Sequence, residues 1–133
     1  MKRLCITVIA ILGLILTACG GGGGGNTPIN INEDAASNVV LQYLQAKIDG
    51  KTDTLRSLLC AGQETNLDRE AASFNGIKAH LDNTVCKKDA NANTVTCSGA
   101  IIAEYNGENT NFPLTKYNVV QEDGQWKWCG EAG

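Results

Sequence analysis

The sequence predicts an α+β domain in which N-terminal helices pack on a curved, four-stranded antiparallel sheet. Three observations carry that prediction. Between residues 32 and 81 apolar residues recur at three-and-four spacing, the period of helices with one buried face. From residue 82 onward, runs rich in Val, Thr, Ile, Tyr and Trp are separated by Asn-Gly and Asp-Gly, the dipeptides that most readily take the positive φ of two-residue hairpins. The chain has 133 residues, room for one domain behind a short apolar leader.

The first helix starts at Asn32, a capping residue, with Glu33 and Asp34 placed to suit the N-terminal dipole, and it ends at Gly50. Ala36, Val39, Val40, Tyr43, Leu44 and Ile48 form its buried stripe. Thr52 is placed to cap a short second helix that turns Leu55, Leu58 and Leu59 inward and ends near Cys60. A third helical pattern covers "NLDREAASFNGIKAHL", residues 66–81, with Gly76 weakening its second half.

Four segments then read as strands: 83–88, 93–105, 111–121 and 125–129. Turns at Asn91-Ala92, Asn106-Gly107 and Asp123-Gly124 set a meander register that pairs Cys86 with Cys97, Ile101 with Phe112, Gly99 with Leu114, Val120 with Lys127 and Asn118 with Cys129. On that register Cys86, Cys97, Ile101, Phe112, Leu114, Val120 and Cys129 share the helix-facing side. The opposite face carries Val85, Ala100, Ile102, Tyr117, Val119, Trp126 and Trp128. Such an apolar outside reads as a docking surface, with Tyr117, Trp126 and Trp128 as its aromatic residues. The alternative is that a bulge turns the tryptophans into the core.

Cysteine usage places the domain in an oxidising compartment. Beyond Cys5 in the apolar leader and Cys19 at its end, there are Cys60, Cys86, Cys97 and Cys129, an even set in a small domain that reads as two disulfides. Four cysteines allow three pairings. The register puts Cys86 against Cys97 and leaves Cys60 for Cys129, a parity that one bulge would upset. Zinc does not suit the spacing, because the gaps are 26, 11 and 32 positions and His80 is the single histidine. No other cofactor motif is present.

The N-terminus reads as an export signal: Lys2 and Arg3 precede an apolar run shorter than the ~20 residues that span a bilayer. It ends in Leu16-Thr17-Ala18-Cys19, which resembles the lipobox of bacterial lipoproteins. The resemblance implies a signal peptide over residues 1–18, cut before a Cys19 that carries diacylglycerol and an N-acyl (palmitate-type) chain. Several acyl chains anchor stably where one holds only marginally. Gly20 in place of an aspartate implies the outer membrane, on its periplasmic face or at the cell surface. Residues 19–31 would be the lipidated cysteine and its tether, in which six glycines cannot order a helix or strand and give a span of roughly 20 Å. Residues 32–133 are the folded domain.

Loss of residues 1–18 removes two of the 11 basic residues and leaves nine against 14 acidic ones, a mature charge of −5. That balance, with lysines scattered, excludes a nucleic-acid role.

The opening "VVLQYLQAKIDGKTDTLRSLL", the further helix and the terminal "VVQEDGQWKW" resemble the nuclear transport factor 2-like superfamily of cone-shaped α+β domains, over roughly residues 35–129. They look closest to its small lipoproteins of undefined function. Enzymes of that superfamily, ketosteroid isomerases among them, place a tyrosine and acids inside the cone. The resemblance puts Tyr43 at the oxyanion tyrosine and makes it the candidate pocket residue. The partner acids do not follow, because "NLDREAASF" is helical and the later strands offer no inward acid. The expectation is therefore a membrane-anchored binding or interaction module, without a catalytic set, facing an envelope protein or a second copy. The alternative is an enzyme or carrier for a small apolar ligand.

Overall fold

The computed structural model describes residues 35–133. The signal peptide, Cys19, the glycine tether and the Asn32 cap lie outside the described residues.

Helix α1, Ala35–Ile48, buries Ala36, Val39, Val40, Tyr43, Leu44 and Ile48, the stripe its spacing requires. Gly50 ends it with φ +64°, letting the Lys51 N–H reach back to the Ala46 carbonyl at 2.9 Å. Helix α2, Thr52–Leu58, begins one residue earlier than expected: Lys51 occupies the cap position, so Thr52 is helical and caps nothing. A 3-10 turn, Ala61–Asn66, then rotates the chain into helix α3, Leu67–Ala72.

The third helix is shorter than its sequence pattern. Gly76 takes φ +73°, which a continuing helix cannot use, and the chain enters strand β1, Lys78–Lys88. Ala79 and Leu81 thus face the helices by strand alternation rather than helical period.

Strands β2, Thr94–Tyr105, β3, Glu108–Pro113, β4, Lys116–Glu122, and β5, Gln125–Glu131, bring the strand count to five, one more than expected. The antiparallel order is β1-β2-β4-β5, and β3 shares an edge of β2 with β4. The extra strand arises because β2 has 12 residues, long enough for two partners in file. β3 pairs with Ala100–Tyr105 and β4 with Thr94–Thr96. The segment expected as one strand therefore breaks at Leu114-Thr115.

That break changes which side chains enter the core. Ile101 pairs with Phe112 and Val95 with Tyr117, so Phe112 and Tyr117 lie on the same face although they are five residues apart. Beyond the break every side chain has switched sides: Tyr117, Val119 and Trp128 are buried, while Val120 and Cys129 are only half-buried. A bulge adds to this, because Val119 pairs with Trp128 but Tyr117 pairs with Glu131, displacing the expected Asn118–Cys129 pair. Gly130, at φ +105°, supplies the extra residue.

The first hairpin keeps its expected parity. Cys86 pairs with Cys97, both buried, and a second bulge falls between Asp82 and Val85. There Gly99, at φ +95°, leaves no room for a side chain, since a Cβ would stand 2.5 Å from the Asp82 carbonyl oxygen. Disulfides join Cys86 to Cys97 and Cys60 to Cys129, with Cα separations of 4.1 and 5.3 Å. The second ties the start of the 3-10 turn to β5, beside the parallel bridge of Leu59 to Trp128.

Candidate functional site

Tyr43 projects from the middle of α1 into the space between helices and sheet. Its ring is stacked on Trp128 at 3.9 Å between centroids and 12° between planes. Both side chains are almost fully buried, at 1% and 4% exposure. The Tyr43 hydroxyl donates to Glu70 Oε2 at 2.6 Å. Lys47, one helical turn after Tyr43, places its Nζ 2.7 Å from the same oxygen, and Arg69 reaches Glu70 Oε1 at 3.3 Å.

Glu70 is the acid that the sequence did not reveal. It stands three residues after Leu67 and four before Phe74, so helical period alone sets it on the inward stripe of α3, where it is 5% exposed; a carboxylate on an otherwise apolar stripe was the available signal. Burial pushes its carboxyl up, but the Lys47 and Tyr43 hydrogen bonds and the Lys47 charge outweigh it, and the group is held below the usual carboxylate range. Burial, followed by the bond to Glu70 and its charge, pushes the Tyr43 phenol far up. At neutral pH the pair is a neutral phenol donating to a carboxylate that a lysine neutralises.

An oxyanion-binding tyrosine must aim its proton at an incoming ligand oxygen. Here that proton is already bound by Glu70, and Trp128 covers the ring. The arrangement fastens α1, α3 and β5 together. Within it, Trp128 Nε1 is buried without a hydrogen-bond partner among the described residues.

The remaining site residues separate. Tyr117, at 4% exposure, and Trp128 are buried in the core of their own chain, so the expected aromatic docking face is corrected and the alternative holds: the break before Thr115 turns these rings inward, with a bulge in β5 beside them. Trp126 is half-buried against the core, with Lys88 Nζ 5.6 Å from its ring centroid. His80 is exposed on the outer side of β1, opposite Ile102. A depression of about 280 Å³ between α2 and the 3-10/α3 segment is lined by Arg56, Leu59, Glu64 and Leu67, and Tyr43 does not reach it. No group of three or more potential metal ligands gathers among the described residues. No described helix is long and apolar enough to cross a membrane.

Helices laid across a curved five-stranded antiparallel sheet are the arrangement of the nuclear transport factor 2-like fold. A "putative ketosteroid isomerase" from Shewanella frigidimarina shares it, at 19% identity over 72% of this chain and 91% of that one, with a TM-score of 0.51. A de novo designed β-sheet protein aligns at 18% identity over 74% of this chain and 88% of its own, with a TM-score of 0.44. These likenesses concern the fold. No protein-family model and no curated protein matches the chain.

Proposed function

We propose that the chain is a lipoprotein of the bacterial outer membrane, held by lipid on Cys19, whose cone domain is a non-enzymatic binding or interaction module. The sequence supports the anchor through the lipobox and the glycine tether. One observation carries the module reading: the residue that would do chemistry in such a cone, Tyr43, has its hydroxyl bound to Glu70 and its ring covered by Trp128.

Two experiments test the two halves. Membrane fractionation with intact-mass analysis should find the mature chain in the membrane with added acyl mass, and Cys19→Ala should release it; equal membrane association of the variant refutes the anchor. Titration with an apolar naphthalene-type fluorophore should show no saturable binding that depends on Tyr43.

The second reading, an enzyme or carrier for a small apolar ligand, is favoured by one finding: an acid does stand 2.6 Å from the Tyr43 oxygen. It requires Trp128 to swing away from the tyrosine. Saturable fluorophore binding abolished by Tyr43→Phe would establish it over the module reading.

A further inference from the structure

Strand β3 is unlike the rest of the sheet. Its six residues, Glu108–Pro113, are all exposed, and among the described residues it pairs on one side only, with β2. β1 also pairs on one side only but has α1 packed against it, and the Leu59-Cys60 segment lies along β5, where Cys60 N–H donates to the Trp128 carbonyl at 2.9 Å.

Register decides which backbone groups the open edge presents. The Asn106-Gly107 turn, with φ +53° and +83°, makes Tyr105 and Glu108 a hydrogen-bonded pair. The bonded pairs continue with Ala103 and Thr110, then Ile101 and Phe112, and reach Leu114, whose N–H donates to the Gly99 carbonyl at 2.9 Å. Alternation therefore turns the N–H and C=O groups of Asn109 and Asn111 outward, followed by Pro113, which has a carbonyl and no N–H.

We infer that the outer edge of β3 is a self-pairing surface whose partner is the β3 of a second copy of this chain. Asn109-Thr110-Asn111 reads the same in both directions, so an antiparallel pair centred on Thr110 sets Asn109 of each copy against Asn111 of the other. All four outward N–H and C=O pairs are then satisfied. Pro113 excludes the register centred on Asn111, and the turn excludes the one centred on Asn109. The centre is uncharged, and each Glu108 falls opposite the other copy's Phe112, so the two carboxylates are not opposed. Phe112, 40% exposed, gains cover on the side that its own Phe74 and Tyr105 leave open. One added strand buries less than the ~1,200 Å² of a standard interface, so the pairing is weak and depends on concentration.

This names the partner of the interaction-module reading and rests on it, but does not require the lipid. Failure of self-pairing leaves both the anchor and a different partner standing.

The test uses the full chain in detergent micelles after its own disulfides have formed. Thr110 would face its counterpart at a non-hydrogen-bonded position, where Cα atoms lie ~4.5 Å apart, and the Cys86–Cys97 disulfide already occupies such a pair within this chain. Under mild oxidation Thr110→Cys should give mostly disulfide-linked dimer, and roughly tenfold more than Asn109→Cys, which sits off the axis. Adding Asn111→Pro, which removes an outward N–H and leaves the β2 ladder intact, should abolish the excess. Equal yields from the two cysteine variants, or yields unaffected by the proline, overturn the inference. Amide exchange of the unmutated chain supplies a check that no variant can confound: the Asn109 and Asn111 amides should slow as concentration rises, and concentration-independent fast exchange refutes the pairing.

Discussion

Two aromatic clusters of this domain meet opposite fates. Tyr43 and Trp128 are stacked, sealed and tied to an ion pair, whereas Phe112, with Tyr105 and Phe74 in edge contact, stands at the end of the sheet with its far side open. The difference lies in what covers each. α1 and the Cys60–Cys129 strap lie against β5, while β3 extends along Ala100–Tyr105 of β2 at the open edge, where Phe74 meets Phe112. Burial here is decided by position in the sheet and not by the hydrophobicity of the side chains: Ile101 and Ala103 of β2 are buried, while β3 beside them, at the open edge, is exposed throughout.

The largest expected effect comes from emptying the sealed cluster. Trp128→Ala removes a buried ring and leaves a cavity beside Tyr43, and it should lower unfolding free energy by about 4 kcal/mol in denaturant titration. A loss below about 1 kcal/mol would mean that the stack is loose. Next, Gly99→Ala forces a Cβ against the Asp82 and Asn83 backbone at a positive φ and should cost about 3 kcal/mol, read as a lower denaturation midpoint.

These sites differ in how far the sequence disclosed them. The α1 stripe, the α+β class and the pairing of Ile101 with Phe112 were legible, because helical period and an Asn-Gly turn are local signals. The inward turn of Trp128 was legible only as the alternative of a bulge, which β5 does contain; the switch of Tyr117 was not, since it follows from two strands sharing one edge of β2, a fact of topology that no local window contains. Glu70 was hidden for a different reason: it sits on the Leu67–Phe74 stripe, but a lone carboxylate there has no meaning until the fold sets Tyr43 and Lys47 opposite it.

A smaller effect attaches to the polar clamp. Glu70→Gln keeps the shape but gives Lys47 a neutral partner, and it should cost about 1–2 kcal/mol at pH 7. The pH dependence has a definite sign. Because the Glu70 carboxyl is held low in the folded state, its contribution is fully present above the ordinary carboxylate range of about 4.3 and is lost as pH falls through the depressed value. The variant should therefore show a shallower loss of stability on acidification than the parent. Asp89, which accepts from Thr94 and Thr96 in the first hairpin and is lowered to about 2, adds an acid-labile part that both proteins share. Equal slopes would place Glu70 in water.

An equally small effect belongs to the open cluster. Phe112→Ser should lower the stability of the monomer by about 1–2 kcal/mol, well below the Trp128→Ala loss, since Phe112 is already 40% exposed. A larger loss in dilute solution would mean that Phe112 belongs to the core, and the contrast between the two clusters would fail.

Hydroxyl-radical footprinting of the full chain, read residue by residue by mass spectrometry, tests that contrast most directly. A closed cone with a bare β3 arm predicts rapid oxidation of Phe112 in dilute solution and protection of Tyr43 and Trp128. Oxidation of Tyr43 and Trp128 at rates comparable to Phe112 would reveal a solvent-filled cone and contradict the account.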